Sequence, residues 1–420
     1  MAESVKVTTE YLSSSLLGWY SICTSKTLKN DYIYFFSLFN EPLALFRSQD
    51  SKAVCIKDIC GHRGASFRGG EVKNCEIICP YHGGRFSTNK KSNHPSKVTC
   101  QHIIDSRYIK HSESSHLFQY PCIEKDNYIY VYYTGKACTD LEEFEFNSLI
   151  SSIELGSHGF DLSEYAFEEA FLDFKCDWSR IIENHLDVLH IFWMHGASLP
   201  GKDVGRHSIA SFDQKTKYNK NSMQTTYFHK DKNKEEFITV SFIPPGRIVM
   251  YRGAPESARY IQVLDHIPMA QNRARVIVRH YRKFFRNSLL SRLILFKPLQ
   301  VKTFYQIFSE DYLVLMTQTF NEQMGYMSNG YLRLLAEDRS IKKFWDWHDV
   351  SLKRDSPWDI HPFSAEVNQV HQELLMVYPP ENQRLVKRLN RIIIKRIIVR
   401  LTILLAILLG ISMLIFSLIK

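Results

Sequence analysis

The chain has 420 residues, 45% of them hydrophobic and 23% charged, which is the composition of a folded globular protein with room for two domains. Its formal net charge is +9, but eight Lys/Arg and one acidic residue between positions 381 and 420 contribute +7, which leaves +2 for the other 380 residues. This uneven distribution argues against a nucleic-acid-binding protein, which would need a basic face on its folded body.

Short apolar runs typical of β-strands fill the first third of the chain. They cover residues 32–39, 43–46 and 53–56, and two further runs lie on either side of Asp126-Asn127, a pair that favours a tight turn. The pattern predicts an all-β region between residues 18 and 135.

Two loops in this region each offer one thiolate and one imidazole. The first is Cys60-Gly61-His62, and the second, after 16 intervening residues, is Cys79-Pro80-Tyr81-His82. Nine cysteines, an odd number, in a chain whose N-terminus does not resemble a secretory signal favour metal ligands over a disulfide framework. Two Cys and two His suit zinc, and they equally suit a [2Fe–2S] cluster with a different ligand pair on each iron. The spacing alone leaves both alternatives open.

The residues around these ligands, CGHRGASFRGGEV and IICPYHGGRF, resemble the Rieske domain of ring-hydroxylating oxygenases, which are Rieske non-haem iron oxygenases. The resemblance implies that Cys60 and Cys79 hold one iron of a [2Fe–2S] cluster, and that His62 and His82 hold the other. Gly84 stands where these oxygenases usually have Trp, a departure that removes no ligand.

Two further positions separate the branches of this resemblance. The Rieske proteins of respiratory and photosynthetic chains carry an extra Cys in each loop, joined as a disulfide. Here those positions hold Ala65 and Tyr81. The chain therefore resembles the oxygenase branch.

A second candidate site lies in residues 176–196, CDWSRIIENHLDVLHIFWMHG, where Asp187, His190 and His195 form a D-x-x-H-x₄-H pattern. Two His and a distant carboxylate make a facial triad for Fe(II), with positions left for O₂ and substrate. On an ideal helix the two His would point about 140° apart, so the helix must bend, bulge or end between them. Taken alone, the pattern suits ordinary partly buried histidines as well.

This segment resembles the catalytic segment of the same oxygenase family, and it follows the Rieske motif in the family's order. The resemblance implies that His190 and His195 are iron ligands. It also implies that Asp187 is the bridging carboxylate that connects the iron site to the cluster of a neighbouring subunit in a homotrimer. His185 has no family role, and we expect it to be solvated or structural.

The third iron ligand is expected on a helix predicted at residues 304–324. The family's ligand commonly lies in an E-D-x-x-(V/L) setting, which selects Asp311 and leaves Glu310 as the alternative. Strand-like runs precede this helix at residues 223–228, 237–242, 247–251, 260–266 and 274–281. An antiparallel sheet wrapped on the helix would enclose an apolar pocket, as in the helix-grip catalytic domain that the family implies.

The C-terminal residues 401–419 contain no charge, and at about 1.5 Å per residue they approach the roughly 30 Å thickness of a bilayer core. Seven Lys/Arg precede this run between positions 384 and 400. A buried core helix is the alternative, but it would rarely lack polar residues on every face. The positive-inside rule then predicts a single-pass membrane protein with its catalytic body on the cytoplasmic side.

Together these observations predict an α+β chain with four parts. They are an all-β Rieske [2Fe–2S] domain at 18–135, a helix-grip catalytic domain with mononuclear Fe(II) at 136–380, a basic juxtamembrane segment at 381–400 and a transmembrane helix at 401–419. The resemblance implies an oxygenase that uses O₂ to hydroxylate, demethylate or desaturate an organic substrate, which a membrane location would make lipophilic.

The electron donor implied by the resemblance is an external ferredoxin or NAD(P)H-dependent reductase, and no G-x-G-x-x-G fingerprint follows a strand in this chain. A membrane-bound Rieske electron-transfer protein is one alternative, but it would not need the segment at 176–196. A scaffold with degenerate metal sites is another, but it would be expected to have lost ligands.

Overall fold

The protein is described by a computed structural model that covers residues 16–88, 98–102, 116–135, 137, 141, 159–195, 212–219, 222–230, 236–284, 286, 296–324 and 338–348. Within these ranges the chain forms eighteen β-strands and four α-helices, divided between two β-rich halves.

The first half contains three antiparallel sheets. Its strands are β1 (Gly18–Thr24), β2 (Tyr34–Leu38), β3 (Glu41–Arg47), β4 (Ala53–Lys57), β5 (Glu71–Lys73), β6 (Glu76–Ile78), β7 (Arg85–Thr88), β8 (Val98–His102), β9 (Gln119–Tyr120), β10 (Cys122–Lys125) and β11 (Tyr128–Tyr133). The sheet orders are β1-β11-β10, β2-β3-β4-β9 and β5-β6-β7-β8.

Three hairpins in this half use the same two-residue turn. Both turn residues have positive φ in Phe39-Asn40, Asn74-Cys75 and Asp126-Asn127. Such a turn matches the right-handed twist of the strands that it joins. Asn and Asp tolerate this left-handed conformation better than most residues, so these turns are consistent with the local sequence.

The second half is built on one antiparallel sheet of seven strands. They are β12 (Ala166–Phe174), β13 (Phe212–Asn219), β14 (Ser222–His229), β15 (Glu236–Ile243), β16 (Arg247–Tyr251), β17 (Tyr260–Ala270) and β18 (Arg273–Arg282). Their order in the sheet is β12-β18-β17-β16-β15-β14-β13. The helices of this half are α1 (Trp178–Leu186), α2 (His190–Met194), α3 (Phe296–Gln323) and α4 (Arg339–His348).

A shared apolar core holds α1 and α3 against this sheet. The side chains of Trp178 and Ile181 on α1 and of Phe308 and Leu315 on α3 are buried in the same cluster. Burial of one such side chain stabilises the fold by about 1.5–3 kcal/mol. The Asp177 carboxylate caps the first turn of α1. Packing and capping together bring the C-terminal end of α1 beside the middle of α3.

The two halves are joined along β17. The N–H groups of Phe39 and Asn40 donate to the carbonyl oxygens of Pro268 and Met269 at 2.8 and 3.1 Å. Ile267, also on β17, belongs to the apolar core of the first half. The halves therefore share main-chain hydrogen bonds as well as buried surface.

A buried charged cluster lies at the same boundary. The hydroxyl oxygen of Tyr130 accepts hydrogen bonds from Arg247 and Arg279 at 3.2 and 3.3 Å, and both guanidinium groups also bind the Asp265 carboxylate. Burial by itself would raise the pKa of Tyr130, but the two guanidinium groups lower that pKa to about 8.

The three antiparallel sheets of the first half confirm its predicted all-β class, and the seven-stranded antiparallel sheet with the long helix α3 confirms the predicted class of the second half. The run predicted at 247–251 coincides with β16, and the runs predicted at 223–228, 237–242 and 274–281 each extend by one residue at both ends. The helix predicted from residue 304 begins at Phe296. Within the seven-stranded sheet, the strands β12 and β13 were not predicted. Polar residues dominate β13, FDQKTKYN, so its local strand propensity is low. Hydrogen bonds to β14 stabilise it as a strand.

The prediction for the C-terminal region requires correction. Among the residues that the structure describes, no helix is both long and apolar enough to span a bilayer. Residues 381–400 and 401–419, the predicted basic segment and membrane helix, lie outside the described residues. The finding overturns the assignment of a single-pass membrane protein with a cytoplasmic catalytic body. An uncharged run of sufficient length is necessary for a span, but it is not sufficient evidence for one.

Candidate functional site

Two loops with the same backbone pattern carry the first set of predicted ligands. The N–H of Cys60 donates to the carbonyl oxygen five residues later at 2.7 Å, and its own carbonyl oxygen accepts from Gly64 at 2.9 Å. Cys79 makes the equivalent two bonds, at 2.8 Å to the fifth following residue and at 3.0 Å to Gly83. Both glycines have positive φ, 74° and 65°, a conformation that is costly for any residue with a Cβ atom.

These loops place the four predicted ligands in two pairs. Cys60 and Cys79 are both buried, and besides burial the nearby Cys79 thiol contributes to a raised pKa of the Cys60 thiol. The rings of His62 and His82 have centroids 4.8 Å apart, and His62 is exposed. Burial raises the pKa of the Cys60 thiol to about 11. A bound metal ion reverses such a shift, because coordination deprotonates the thiol.

The pairs do not converge on a single point. Among the described residues, one group of three or more His, Cys, Asp or Glu side chains has its ligand atoms within 4.8 Å of one another, and it lies elsewhere in the chain. A tetrahedral zinc ion, with ligands about 2.0–2.3 Å away, would draw all four side chains together. A thiolate pair on one iron and an imidazole pair on a second iron fit the observed arrangement better.

Asp58 holds the first loop in place. Its carboxylate accepts hydrogen bonds from the Phe67 N–H and the Ser66 hydroxyl, both at 2.7 Å, and Arg68 Nε lies 3.5 Å from the same carboxylate. Asp58 is buried. An aspartate two residues before a cysteine belongs to no recognised motif, so the sequence did not single it out.

The converging group lies where α1, α2 and α3 meet. The Nε2 atoms of His190 and His195 lie 3.4 and 3.0 Å from Oδ1 of Asp311, and these three side chains form the group with ligand atoms within 4.8 Å. The helix α2 ends at Met194, and His195 follows it with φ −100° and ψ 10°. Because the helix ends between the two histidines, both rings can face Asp311 despite their spacing.

Each histidine is oriented through its other ring nitrogen. Nδ1 of His190 is hydrogen-bonded to the carbonyl oxygen of Asp187, and Nδ1 of His195 lies 2.7 Å from Oε2 of Glu310. A hydrogen on Nδ1 leaves the lone pair of Nε2 available to a metal. The set of two imidazoles and one carboxylate fits Fe(II), and it leaves coordination positions open.

The two adjacent acids of α3 make different contacts. Asp311 is buried, touches both histidines and accepts a hydrogen bond from Asn184 at 3.3 Å. Burial would raise the pKa of Asp311, but His190 and His195 hold that pKa well below its usual range. Burial would lower the pKa of His195, but the hydrogen bonds and charges of Asp311 and Glu310 raise it. Glu310 contacts Nδ1 of His195, and Asp311 contacts Nε2, which favours Asp311 as the metal-facing carboxylate.

Asp187, the predicted bridging carboxylate, forms the turn between α1 and α2. Its Oδ1 accepts from the backbone N–H groups of Leu189 and His190 at 2.9 and 3.4 Å, and its Oδ2 lies 3.9 Å from Nδ1 of His190. Burial raises the pKa of this carboxyl group. Asp187 thus touches the candidate ligand His190 through both its carbonyl oxygen and its carboxylate.

Other contacts of α1 were not identified from the sequence. Arg180 and Glu183, 2.7 Å apart and both buried, tie α1 to Glu322 of α3 at 3.2 Å and to the indole N–H of Trp345 at 2.7 Å. A salt bridge between buried residues three positions apart is not distinguishable in sequence from an exposed helical pair. His185 was expected to be solvated or structural, and its exposure of 5% excludes only the first of these alternatives.

Comparisons with known proteins follow the same division of the chain. The profile of the Rieske [2Fe-2S] domain matches residues 18–105, and the profile of the vanillate O-demethylase oxygenase C-terminal domain matches residues 174–337. Cholesterol 7-desaturase of Caenorhabditis elegans is 30% identical over 195 residues, 44% of this chain and 41% of that protein. Chloroplastic chlorophyllide a oxygenase of Chlamydomonas reinhardtii is 28% identical over 179 residues, 42% of this chain and 24% of that protein.

The fold has solved counterparts as well. The crystal structure of dicamba monooxygenase bound to dicamba superimposes with a TM-score of 0.58 at 15% identity, over 82% of this chain and 99% of that one. This likeness supports the fold alone. The chain spans less than half the length of the two curated relatives described above.

The two profile matches lie in the order found in the structure, and together they cover more than half of the 420 residues. One contains the loops with the paired thiols and imidazoles, and the other contains both histidines and the carboxylate of the converging group. The cofactors of this family are a [2Fe–2S] cluster and a mononuclear iron, and the side chains present fit both. The chain belongs to the Rieske non-haem iron oxygenases.

Proposed function

We propose that this protein is an oxygenase that uses O₂ and electrons from an external donor to hydroxylate, demethylate or desaturate a lipophilic organic substrate. The observation that carries the proposal is the group formed by His190, His195 and Asp311 in a chain that also has the two cysteine–histidine loops. A Rieske electron-transfer protein would need only the loops.

We assign the cluster to Cys60, Cys79, His62 and His82, and the mononuclear iron to the group just described. When bound, the cluster supplies electrons and the iron supplies the positions at which O₂ is activated. The chain's own part is to hold the two imidazoles with their Nε2 atoms toward the iron. Glu310 does this for one of them, as a carboxylate behind a metal-bound histidine does in other metal sites.

The surroundings of the iron site support a lipophilic substrate. Leu186 is the last residue of α1, and Val188 lies between α1 and α2. Both are buried in the same apolar cluster as Phe308 and Leu315 of α3. A lipophilic molecule gains about 25 cal/mol for each Å² of apolar surface that such a site removes from water. One relative is named as a desaturase of cholesterol, which is a molecule of this kind.

The organisation that we propose follows the family. The Rieske domain covers residues 18–135 and the catalytic domain covers residues 136–380. The active unit is a homotrimer in which Asp187 connects each iron to the cluster of the neighbouring subunit, and the donor is a ferredoxin or an NAD(P)H-dependent reductase. The position of Asp187, in contact with His190, supports this role.

Oxygen uptake tests the proposal. The purified protein is supplied with a reductase–ferredoxin pair and lipid extracts, and O₂ consumption is measured together with ¹⁸O incorporation or desaturation of extract components. Asp311→Ala serves as the control, because it removes the third ligand and leaves both loops intact. Product formation that requires Asp311 supports the oxygenase. Equal O₂ uptake without product in both proteins would instead identify an electron-transfer protein.

A further inference from the structure

His185 is a buried histidine beside the iron site that the proposed function does not use. Its Nδ1 lies 2.8 Å from Nε2 of His266 on β17, and Nδ1 of His266 lies 2.8 Å from the carbonyl oxygen of Gly246. The three groups form a short chain of hydrogen bonds from the sheet to α1. Nε2 of His185 is buried and has no hydrogen-bond partner in the described part of the protein.

The carbonyl oxygen of Gly246 fixes the positions of the hydrogens in this series of hydrogen bonds. A carbonyl oxygen can only accept, so Nδ1 of His266 carries a hydrogen. Burial lowers the pKa of His266 to about 4 and holds that of His185 well below its usual range, so both rings are neutral. Nε2 of His266 is then an acceptor, and Nδ1 of His185 must donate to it. The second nitrogen of His185, Nε2, therefore carries a lone pair and no hydrogen.

His185 lies close to the proposed iron site. The preceding residue, Asn184, donates to Asp311, and the His185 ring meets the ring of Phe308 edge-on at 5.5 Å, one turn before Asp311 on α3. Charges on Asp311 and on both proposed ligand histidines act on His185. A buried acceptor without a donor is costly, and folded proteins seldom keep one that has no role.

We propose that His185 is a specificity-determining residue whose Nε2 accepts a hydrogen bond from a hydroxyl group of the substrate, so that the enzyme selects a lipophilic alcohol. The inference rests on the proposed function, because it places the substrate beside the iron. An acceptor-only nitrogen discriminates by chemistry. It binds an alcohol, it gains nothing from an alkane of the same shape, and it repels the oxygen of a ketone.

Three probes of nearly equal size test this selection: cyclohexanol, methylcyclohexane and cyclohexanone. Their binding to the anaerobic holoenzyme is measured by calorimetry, which requires no turnover. We expect cyclohexanol to bind about tenfold more tightly than methylcyclohexane, the effect of one buried hydrogen bond, and cyclohexanone to bind no better than methylcyclohexane. In His185→Phe the preference for the alcohol should disappear while methylcyclohexane still binds.

Two further variants separate this role from a purely structural one. His266→Leu removes the acceptor that fixes the hydrogen on Nδ1 of His185, so its Nε2 can become a donor, and the affinity for cyclohexanone should rise relative to cyclohexanol. His280→Phe is the matched control, because His280 is another buried histidine with an unpartnered Nε2 but is stacked on Phe304, two turns from Asp311. This control should keep the wild-type preference.

The inference is overturned if wild-type protein does not prefer cyclohexanol, if no probe binds, or if His185→Phe keeps the preference. Cluster absorbance and iron content of each variant show whether its centres remain intact, and the shift expected in His266→Leu remains a test if His185→Phe does not fold. The proposed function fails separately. An enzyme that never couples O₂ uptake to product but prefers the alcohol would disprove the oxygenase and not the role of His185 in binding.

Discussion

At the scale of single residues, Glu310 and Asp311 make contacts that predict different losses. Asp311 faces both histidines, whereas Glu310 contacts His195 at Nδ1, the ring nitrogen opposite the one that faces Asp311. We expect Asp311→Asn to abolish binding of the mononuclear iron. Glu310→Gln should weaken iron binding by about 10–100-fold, which is the usual effect of losing a carboxylate behind a metal-bound histidine. Iron titration of protein that retains its cluster measures both effects.

The cluster's absorption spectrum is the control for this comparison, because both acids lie on α3 and the cysteine loops belong to the other half of the chain. It should be unchanged in both variants. The assignment of the two acids would be reversed if Glu310→Gln lost the iron completely and Asp311→Asn retained it.

A substitution at Asp187 can separate the bridging role from the structural role, because only one of its two carboxylate oxygens supports the local turn. Oδ1 accepts the N–H groups of Leu189 and His190, and asparagine retains that acceptor. Asp187→Asn should therefore keep both metals and lose at least about 100-fold in turnover, because the bridge to the neighbouring subunit is damaged. The steady-state turnover rate and the metal content of the variant are measured together. Normal turnover in the variant would disprove the bridge, and Asp187→Ala, which also loses the turn, shows the effect of structural damage.

Many residues of the site could be predicted from the sequence, but the contacts that orient their side chains could not. His190, His195 and Asp311 were identified by residue type and by resemblance, and the structure brings them together. Asp58 and the hydrogen bond from Glu310 were not identified. Such supporting contacts depend on where a side chain points after packing, and no spacing rule encodes that direction.

At the scale of elements, the matching backbone of the cysteine loops predicts a special role for Gly64. Its φ is 74°, and an added Cβ would meet no atom within 4 Å, so the effect of Gly64→Ala is conformational. The left-handed conformation costs a residue with a Cβ about 1–2 kcal/mol. We expect the loop to relax and the cluster occupancy to fall, as measured by iron and sulfide content.

Gly69 provides a matched control for this substitution. Its φ is 83°, and an added Cβ there also meets nothing within 4 Å, but it lies beyond the hydrogen bonds that define the first loop. Gly69→Ala should lower the melting temperature without changing the cluster content. Equal loss of cluster in both variants would mean that strain acts through general stability and not through the loop.

The elements differ in how well local sequence predicts them. The strand β16, whose five residues are all buried, is predicted by its apolar run. The polar strand β13 exists because β14 offers it hydrogen bonds along its full length. The length of α3 was underestimated because its first residues, Phe296 onward, precede the run in which apolar periodicity is clear.

At the scale of the whole molecule, Tyr130 predicts a dependence of stability on pH. Its pKa in the folded protein is about 8, against an ordinary value of 10. For an acid with a lowered pKa, the stabilisation is complete above pH 10, decreases as the pH falls from 10 to 8, and is absent below pH 8. Two pKa units correspond to about 3 kcal/mol. The free energy of unfolding should therefore rise from pH 8 to 10 relative to Tyr130→Phe.

Tyr128, on the same strand, is the control for this titration. Burial raises the pKa of Tyr128 far above its usual value, so Tyr128→Phe should leave the dependence between pH 8 and 10 intact. The near-ultraviolet absorption of tyrosinate in the folded protein gives a direct measurement. A wild-type protein without a tyrosine that titrates near pH 8 would contradict the prediction.

The strand β17 also determines how the protein unfolds. It contributes Leu264 to the core beneath α1 and α3, and Ile267 to the core around β1 and β11. Neither half can melt without opening the hydrophobic interior of the other. We therefore expect calorimetry to record one cooperative transition in which cluster and iron are released together. Two resolved transitions, with one centre surviving the loss of the other, would show that the halves behave as independent folding units.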